Sequence, residues 1–257
     1  MLEQTVESVR ITLPCGLFHE DKLHKDAEII PMTGKVRKLI ARPEVRQNPA
    51  KVIDTLLSEC LYSVGPITRI RRDVIDRLFL GDRDFLIMEI RKISLGKIVT
   101  AQLQCSCGAK LAVAIDLERE VPIKTVESVK DLKIDENSIT FVVENEELNI
   151  NAVFRLPTGV DQHAIAPLYR KNPIAANYAL YQLCLLEWNG KPKNELLPEF
   201  FDTLSLRVID HIDEIFMENM PGPDMRVPVD CIECGNELMV SMESSDFLFR
   251  TQKTGRT

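Results

Sequence analysis

The sequence lacks most of what marks a nucleotide-binding, membrane or secreted chain. Its eleven glycines are spread singly, and none forms the G-x-G-x-x-G or Walker spacing with which backbone N–H groups cradle a phosphate. No window approaches the roughly 20 apolar residues that a bilayer-crossing helix needs. The N-terminus, MLEQTVESVRITLPCGLF, has no basic stretch followed by an apolar run, so it does not read as a secretory signal. Positive charge is also short. The 32 Lys and Arg against 39 Asp and Glu leave a net charge of −7, the reverse of the footprint that binding a phosphate backbone requires. The expectation is a globular chain that folds in a cytosol, with no nucleic acid, no membrane segment and no small-molecule substrate.

Catalytic groupings are missing as well. Of the four histidines, His19 and His24 fall in a charged stretch read as a loop, His163 follows a Thr-Gly turn, and His211 lies beside Asp210 and Asp213 on a polar helix. None stands with a serine or cysteine in a nucleophile setting. The carboxylates are scattered as on solvated helix faces. The run GDRD, with Asp82, Arg83 and Asp84, reads as a helix cap with an internal salt bridge rather than an ion site. The chain is expected not to be an enzyme.

What is present is a repeat. PMTGKVRKLIARPEVRQNPAKVIDTLLSECLYSVG begins at Pro31 and LPTGVDQHAIAPLYRKNPIAANYALYQLCLLEWNG at Leu156, and single-residue gaps suffice to align them. Thr33-Gly34 matches Thr158-Gly159, Asn48-Pro49 matches Asn172-Pro173, Cys60-Leu61 matches Cys184-Leu185, and Gly65 matches Gly190. Asn48 and Asn172 are suited to cap a helix, with Pro49 and Pro173 at its first position, where the missing N–H is no loss. The stripe Val52, Ile53, Leu56, Leu57, Cys60, Leu61 and Val64 then predicts a helix ending at Gly65. Ile174, Tyr178, Tyr181 and Leu185 play the same part before Gly190. In GDRDFLIMEIRKISLG, Asp82 is read as the cap of a further helix that stops at Gly96, with RVIDHIDEIFMENMPG as its counterpart. Strands follow each, Val99 to Leu103 and Leu111 to Leu117 in one copy, Val227 to Val229 and Leu238 to Val240 in the other.

The fold class expected is α+β: internally duplicated halves, each a helical hairpin plus a β-hairpin, joined by a zinc-ribbon-like site with a small β connector. Residues 1–120 would form the first half with an N-terminal arm, and 121–152 the connector, with strands at Ile139–Val143 and Leu148–Phe154. Residues 153–250 would form the second half and 251–257 a flexible tail.

The joint is read from the cysteines. An odd number of them in a reducing compartment points to free thiols or metal ligands rather than a disulfide framework. Cys105 and Cys107 in CSCG, with Cys231 and Cys234 in CIECG, sit at equivalent places in the repeat, each pair on a turn between strands. Four thiolates make a closed tetrahedral zinc site, and the glycine relieves strain where N–H groups turn towards sulfur. One intervening residue in CSCG departs from the usual spacing, and the alternative is a set of structural thiols without metal. A redox role is disfavoured because a reactive Cys-x-x-Cys opens a helix, whereas these are flanked by strands. Cys60 and Cys184 lie on apolar helix faces and read as core, and Cys15 in LPCGLF as part of a turn. The cysteine turns alone leave a second function open, a zinc-ribbon nucleic-acid-binding or transcription factor, for which the basic run RIRRD, Arg69 to Asp73, is the best support.

Taken in order, LPCGLF, EIIPMTGKVRKLIA, LFLGDRDFLIMEIRKISLG, the Cys105 turn, FRLPTGVDQHAIA and CIECG resemble the baseplate protein family of T-even-type contractile-tailed bacteriophages and related contractile injection systems. The resemblance runs from about Ile11 to about Phe249, and the connector carries little of it. It implies a structural or assembly subunit of the tail baseplate or its central hub, a virion protein assembled in the host bacterial cytoplasm. Its partners would be other phage tail or baseplate proteins, met through apolar and aromatic anchors for which Trp188, Phe200 and Phe201 are candidates, the alternative being that these side chains simply finish the core.

Overall fold

The computed structural model describes residues 7–169 and 171–242. From the N-terminus come β1 (Val9–His19), β2 (Lys22–Ile29), α1 (Gly34–Ile40), α2 (Pro43–Arg46), α3 (Pro49–Cys60), β3 (Leu61–Val64), α4 (Arg72–Arg77), α5 (Leu80–Leu95), β4 (Ile98–Gln104) and β5 (Lys110–Asp116). Two short strands, β6 (Ile123–Lys124) and β7 (Lys133–Ile134), lead into β8 (Ile139–Asn145), β9 (Ile150–Arg155), α6 (Gly159–Tyr169), α7 (Pro173–Cys184), β10 (Leu185–Trp188) and β11 (Lys191–Pro192). After two 3-10 turns come α8 (Leu206–Asn219), β12 (Gly222–Pro223), β13 (Arg226–Asp230) and β14 (Glu237–Ser241). The fold is mixed α+β with several small antiparallel sheets. The tail 251–257, and residues 243–250 of the expected second half, lie outside the described residues.

Local chemistry sets the helix starts as the sequence predicts. Asn48 Oδ1 accepts from Lys51 N, and Asn172 Oδ1 accepts from Ile174 N and Ala175 N, with a proline opening each helix. The ends differ from expectation. The apolar stripe continues past Cys60, but Leu61–Val64 is a strand, because β2 offers it a free edge to pair with. Cys184–Leu185 breaks in the same way into β10, which pairs with β9. Within α7, Tyr181 and Ala176 are buried while Ile174 stands on the solvent side of the first turn.

One sheet has the strand order β1-β2-β3 and the other β11-β10-β9-β8-β7. The hairpins β4–β5 and β13–β14 pair in full register, Val99 opposite Ile115 and Val227 opposite Val240. His19 and His24 belong to β1 and β2, not to a loop, because Glu20 and Asp21, both with positive φ, make the turn in two residues.

Two cores result, and each borrows from the other end of the chain. Val227, Val240 and Met242 complete the first, built on α3, α5, β4 and β5. Cys15 and Phe79 join the second, built on β8, β9, α7 and α8. There Phe141 and Phe154 each meet Phe216 edge-on, at 5.0 and 5.1 Å between ring centres. Trp188 and Phe201 are buried in the same cluster, with Phe200 edge-on to the indole at 4.9 Å. Trp188 and Phe201 finish a core, and the half-buried Phe200 packs against it.

The first turn of α5 departs furthest from expectation. The helix starts at Leu80, so Asp82 is no cap; it is wholly buried, as is Arg83. The Asp82 carboxylate accepts from Cys15 N at 2.7 Å and from Gly16 N at 2.9 Å. Those two N–H groups lie where β1 breaks its register with β2, between Thr12 and Leu17, so Cys15 sits in a bulged strand rather than a turn. A Cβ on Gly81 would lie 1.8 Å from Pro221 O, which shows how closely the helix backbone meets the chain before β12.

Burial pushes the Asp82 carboxyl up to about 7, against the two N–H groups that favour its ionised form. In the unfolded chain it titrates near about 3.9. Between these values the folded state holds a proton the unfolded state has released. Its contribution to stability is therefore full below about pH 4 and is lost as pH rises through about 7. Asp82→Asn leaves one N–H without its acceptor, a loss of roughly 1–3 kcal/mol. By urea denaturation, the stability gap between wild type and Asp82→Asn should be wider at pH 5.5 than at pH 8 by roughly 1–2 kcal/mol. An equal gap at both values contradicts this account of the carboxyl.

Candidate metal centre

Cys105 and Cys107 occupy the turn between β4 and β5, and Cys231 and Cys234 that between β13 and β14. In each turn the amide of the glycine after the second cysteine donates to the carbonyl of the first: Gly108 N to Cys105 O at 2.9 Å, Gly235 N to Cys231 O at 2.8 Å. Both glycines have positive φ, a conformation that lets the chain curl its sulfurs inward. The hairpins place all four Sγ atoms within 4.8 Å of one another. The contacts reach across, Cys105 to Cys234 at 3.6 Å and Cys107 to Cys231 at 3.8 Å. A disulfide needs about 2.05 Å, whereas ligands about 2.3 Å from a tetrahedral ion stand about 3.8 Å apart. Cys105 and Cys231 are buried with Leu111 in a small cluster, and Cys107 and Cys234 face out. The backbone N–H of Cys107 turned towards its sulfur draws the Cys105 thiol down to about 6. The arrangement is compatible with metal coordination, and the short CSCG spacing does not keep either of its sulfurs from the group.

The remaining cysteines stay apart from this cluster. Cys60 and Cys184 are fully buried, and burial pushes both thiols up to about 12, as befits small hydrophobes.

A second convergence, not expected from the sequence, joins the halves. Arg83 donates to Asp54 Oδ1 at 2.7 Å, to Ile75 O at 2.9 Å and to Gln162 Oε1 at 3.0 Å, so one guanidinium ties α3, α4 and α6 to α5. A Cβ at Gly159 would lie 2.6 Å from Arg83 Nη1, so the glycine of the second Thr-Gly pair is required there, whereas Gly34 has open space. Asp54, Asp76 and His163 each bring a ligand atom within 4.8 Å of the others. Arg72 lies among them, with Nη1 3.0 Å from Asp54 Oδ2, Nε 2.7 Å from Asp76 Oδ1 and Nη2 2.6 Å from His163 Nε2. Its guanidinium takes the place a cation would fill, and the group works as an ion-pair network. Arg72, in the basic run RIRRD, is thus turned to the protein's own acids. A sequence signal for this network exists in Asp54, a carboxylate set between Ile53 and Leu56 inside an apolar stripe.

Compared with models of protein families, the chain matches the one described as T4 bacteriophage base plate protein over residues 20–250. The chain belongs to this family. Searches of curated proteins and of solved structures return no match. As a T4-type baseplate protein it is a structural, non-catalytic component of a phage, acting with other tail and baseplate proteins in the virion baseplate. Among the described residues, no helix is long and apolar enough to cross a membrane.

For this baseplate protein the buried pair at the junction predicts a measurable asymmetry. Arg83→Met removes the buried partner of Asp54, leaving the carboxylate with Arg72 and His163 on its outer side, and should cost roughly 3–5 kcal/mol in urea denaturation. Adding Asp54→Leu should recover at least about 1 kcal/mol of that, since the carboxylate that lost its buried partner is gone too. Strictly additive losses contradict the coupling.

Proposed function

We propose that this protein is a structural and assembly subunit of the baseplate, or central hub, of a contractile phage tail or related injection machine, with one structural zinc ion held by Cys105, Cys107, Cys231 and Cys234. The observation that carries the zinc reading is the convergence of four sulfurs from hairpins more than a hundred residues apart, at separations suited to a tetrahedral ion. An all-thiolate set favours zinc over harder cations, and four protein ligands close the site to water and substrate. The ion is then a fastener and not a reagent.

The two hairpins belong, in this reading, to two copies of one ancestral unit. The order strand, strand, helix, helix, strand, helix, hairpin runs through β1 to β5 and again through β8 to β14, apart from short intervening elements. Asn-Pro opens the corresponding helices, and each helix gives way directly to a strand after its cysteine. The halves span 1–120 and 153–250. The connector 121–152 supplies β8 and the start of β9, which stand where β1 and β2 stand in the first half.

Native mass spectrometry of the purified protein should find about one zinc per chain. Cys234→Ser should abolish it, lower the melting temperature, and reduce the unfolding free energy by several kcal/mol if the ion contributes as a structural metal does. An apo mass together with melting unaffected by chelator or substitution overturns the zinc reading. The assembly role has its own test: phage in which this chain is not made should yield tails without complete baseplates by electron microscopy, and intact baseplates overturn it.

A further inference from the structure

An apolar groove runs along the junction of the halves. Two adjoining depressions, of about 300 and 370 Å³, share Leu80, Asp84, Leu180 and Met225. Ile165 of α6 lines one end and Met220, just past α8, the other. Met242 also lines the groove, with its N–H bonded to Met225 O at 3.0 Å. The chain therefore leaves β14 inside the groove. Fifteen residues follow, ESSDFLFRTQKTGRT, and they contain one apolar run, Phe247-Leu248-Phe249.

We propose that this groove is the seat of the chain's own Phe247-Leu248-Phe249. Three observations carry the assignment. The first is continuity, because Met242 already lies in the groove. The second is reach: five residues bridge up to about 17 Å, more than the 10–12 Å or so across a helix. The third is the extent of the family match, which ends at residue 250, directly after the apolar run, and leaves out the polar remainder 251–257. Methionine is a suitable lining for such a seat, since its flexible thioether adapts to aromatic rings and contacts them favourably. Met220, Met225 and Met242 all offer one.

The test places a photoreactive benzoylphenylalanine at Phe247 of the full-length protein and maps cross-links by peptide mass spectrometry at a dilution where single molecules react. The expected product is an intramolecular link to Leu180, Met220 or Met225. Links elsewhere in the chain, links only to a second copy, or links to the groove only after another tail protein is added overturn the proposal. Independently, Phe247→Ser combined with Phe249→Ser in the full chain should raise binding of an anilinonaphthalene sulfonate dye several-fold, and Leu180→Arg should remove the cross-link. A dye signal equal to that of wild type counts against the seat.

Discussion

One turn of helix holds this molecule together. At the start of α5, Gly81 brings backbone against the backbone of Pro221 and Gly222, Asp82 grips the bulge of β1, and Arg83 reaches α3, α4 and α6. Three successive residues point about 100° apart on a helix, so one turn can address three different parts of the fold. Around it the backbone is also stitched directly: Leu80 N donates to Pro157 O and Gly159 N to Leu78 O, both at 3.0 Å. A side chain at Gly81 has no room, and a shorter or uncharged one at Arg83 cannot reach all three partners.

The sulfur cluster brings together two hairpins whose strands also pack into one core. The C-terminal hairpin puts Val227 and Val240 into the first core, while β1 sends Cys15, and the strap before α5 sends Phe79, into the second. Neither half has a complete core without the other. The loop between Cys105 and Cys234 is therefore closed by the packing of Val99, Ile115, Val227 and Val240 as well as by the thiols. An ion bound there acts on a preformed geometry, and the ordering cost of bringing the hairpins together falls on the hydrophobic core.

How much of this was legible in the sequence depends on whether the cause was local. Asn48-Pro49 and Asn172-Pro173 announce helix starts because a cap bonds within three residues of itself. The hairpins show in the alternation of Val99, Ala101 and Leu103, and the four thiols in two marked turns. Leu61–Val64 was misread because a short apolar run fits both a helix stripe and a buried strand, and only the distant edge of β2 decides between them. Asp82 and Arg83 were misread for the same reason: a charged residue counts as a surface residue unless its partner is known, and those partners lie 67 and 29 positions away in Cys15 and Asp54. Trp188, Phe200 and Phe201 read equally as docking anchors or as core, because composition cannot tell an aromatic anchor from an aromatic core, and Trp188 and Phe201 are buried.

Buried charge at the junction is a costly way to gain stability, since desolvating a guanidinium and a carboxylate consumes most of what their attraction returns. What it supplies instead is a single geometry. A hydrophobic seam between α3, α5 and α6 tolerates small slides and rotations, because apolar contact is non-directional. The fork of Arg83 does not, because a displaced α6 would pull Gln162 from Nε and push Gly159 into Nη1, and a displaced α3 would strand Asp54. Fixing α3, α4 and α6 against α5 in one arrangement is thus the structural part played by the fully buried Arg83.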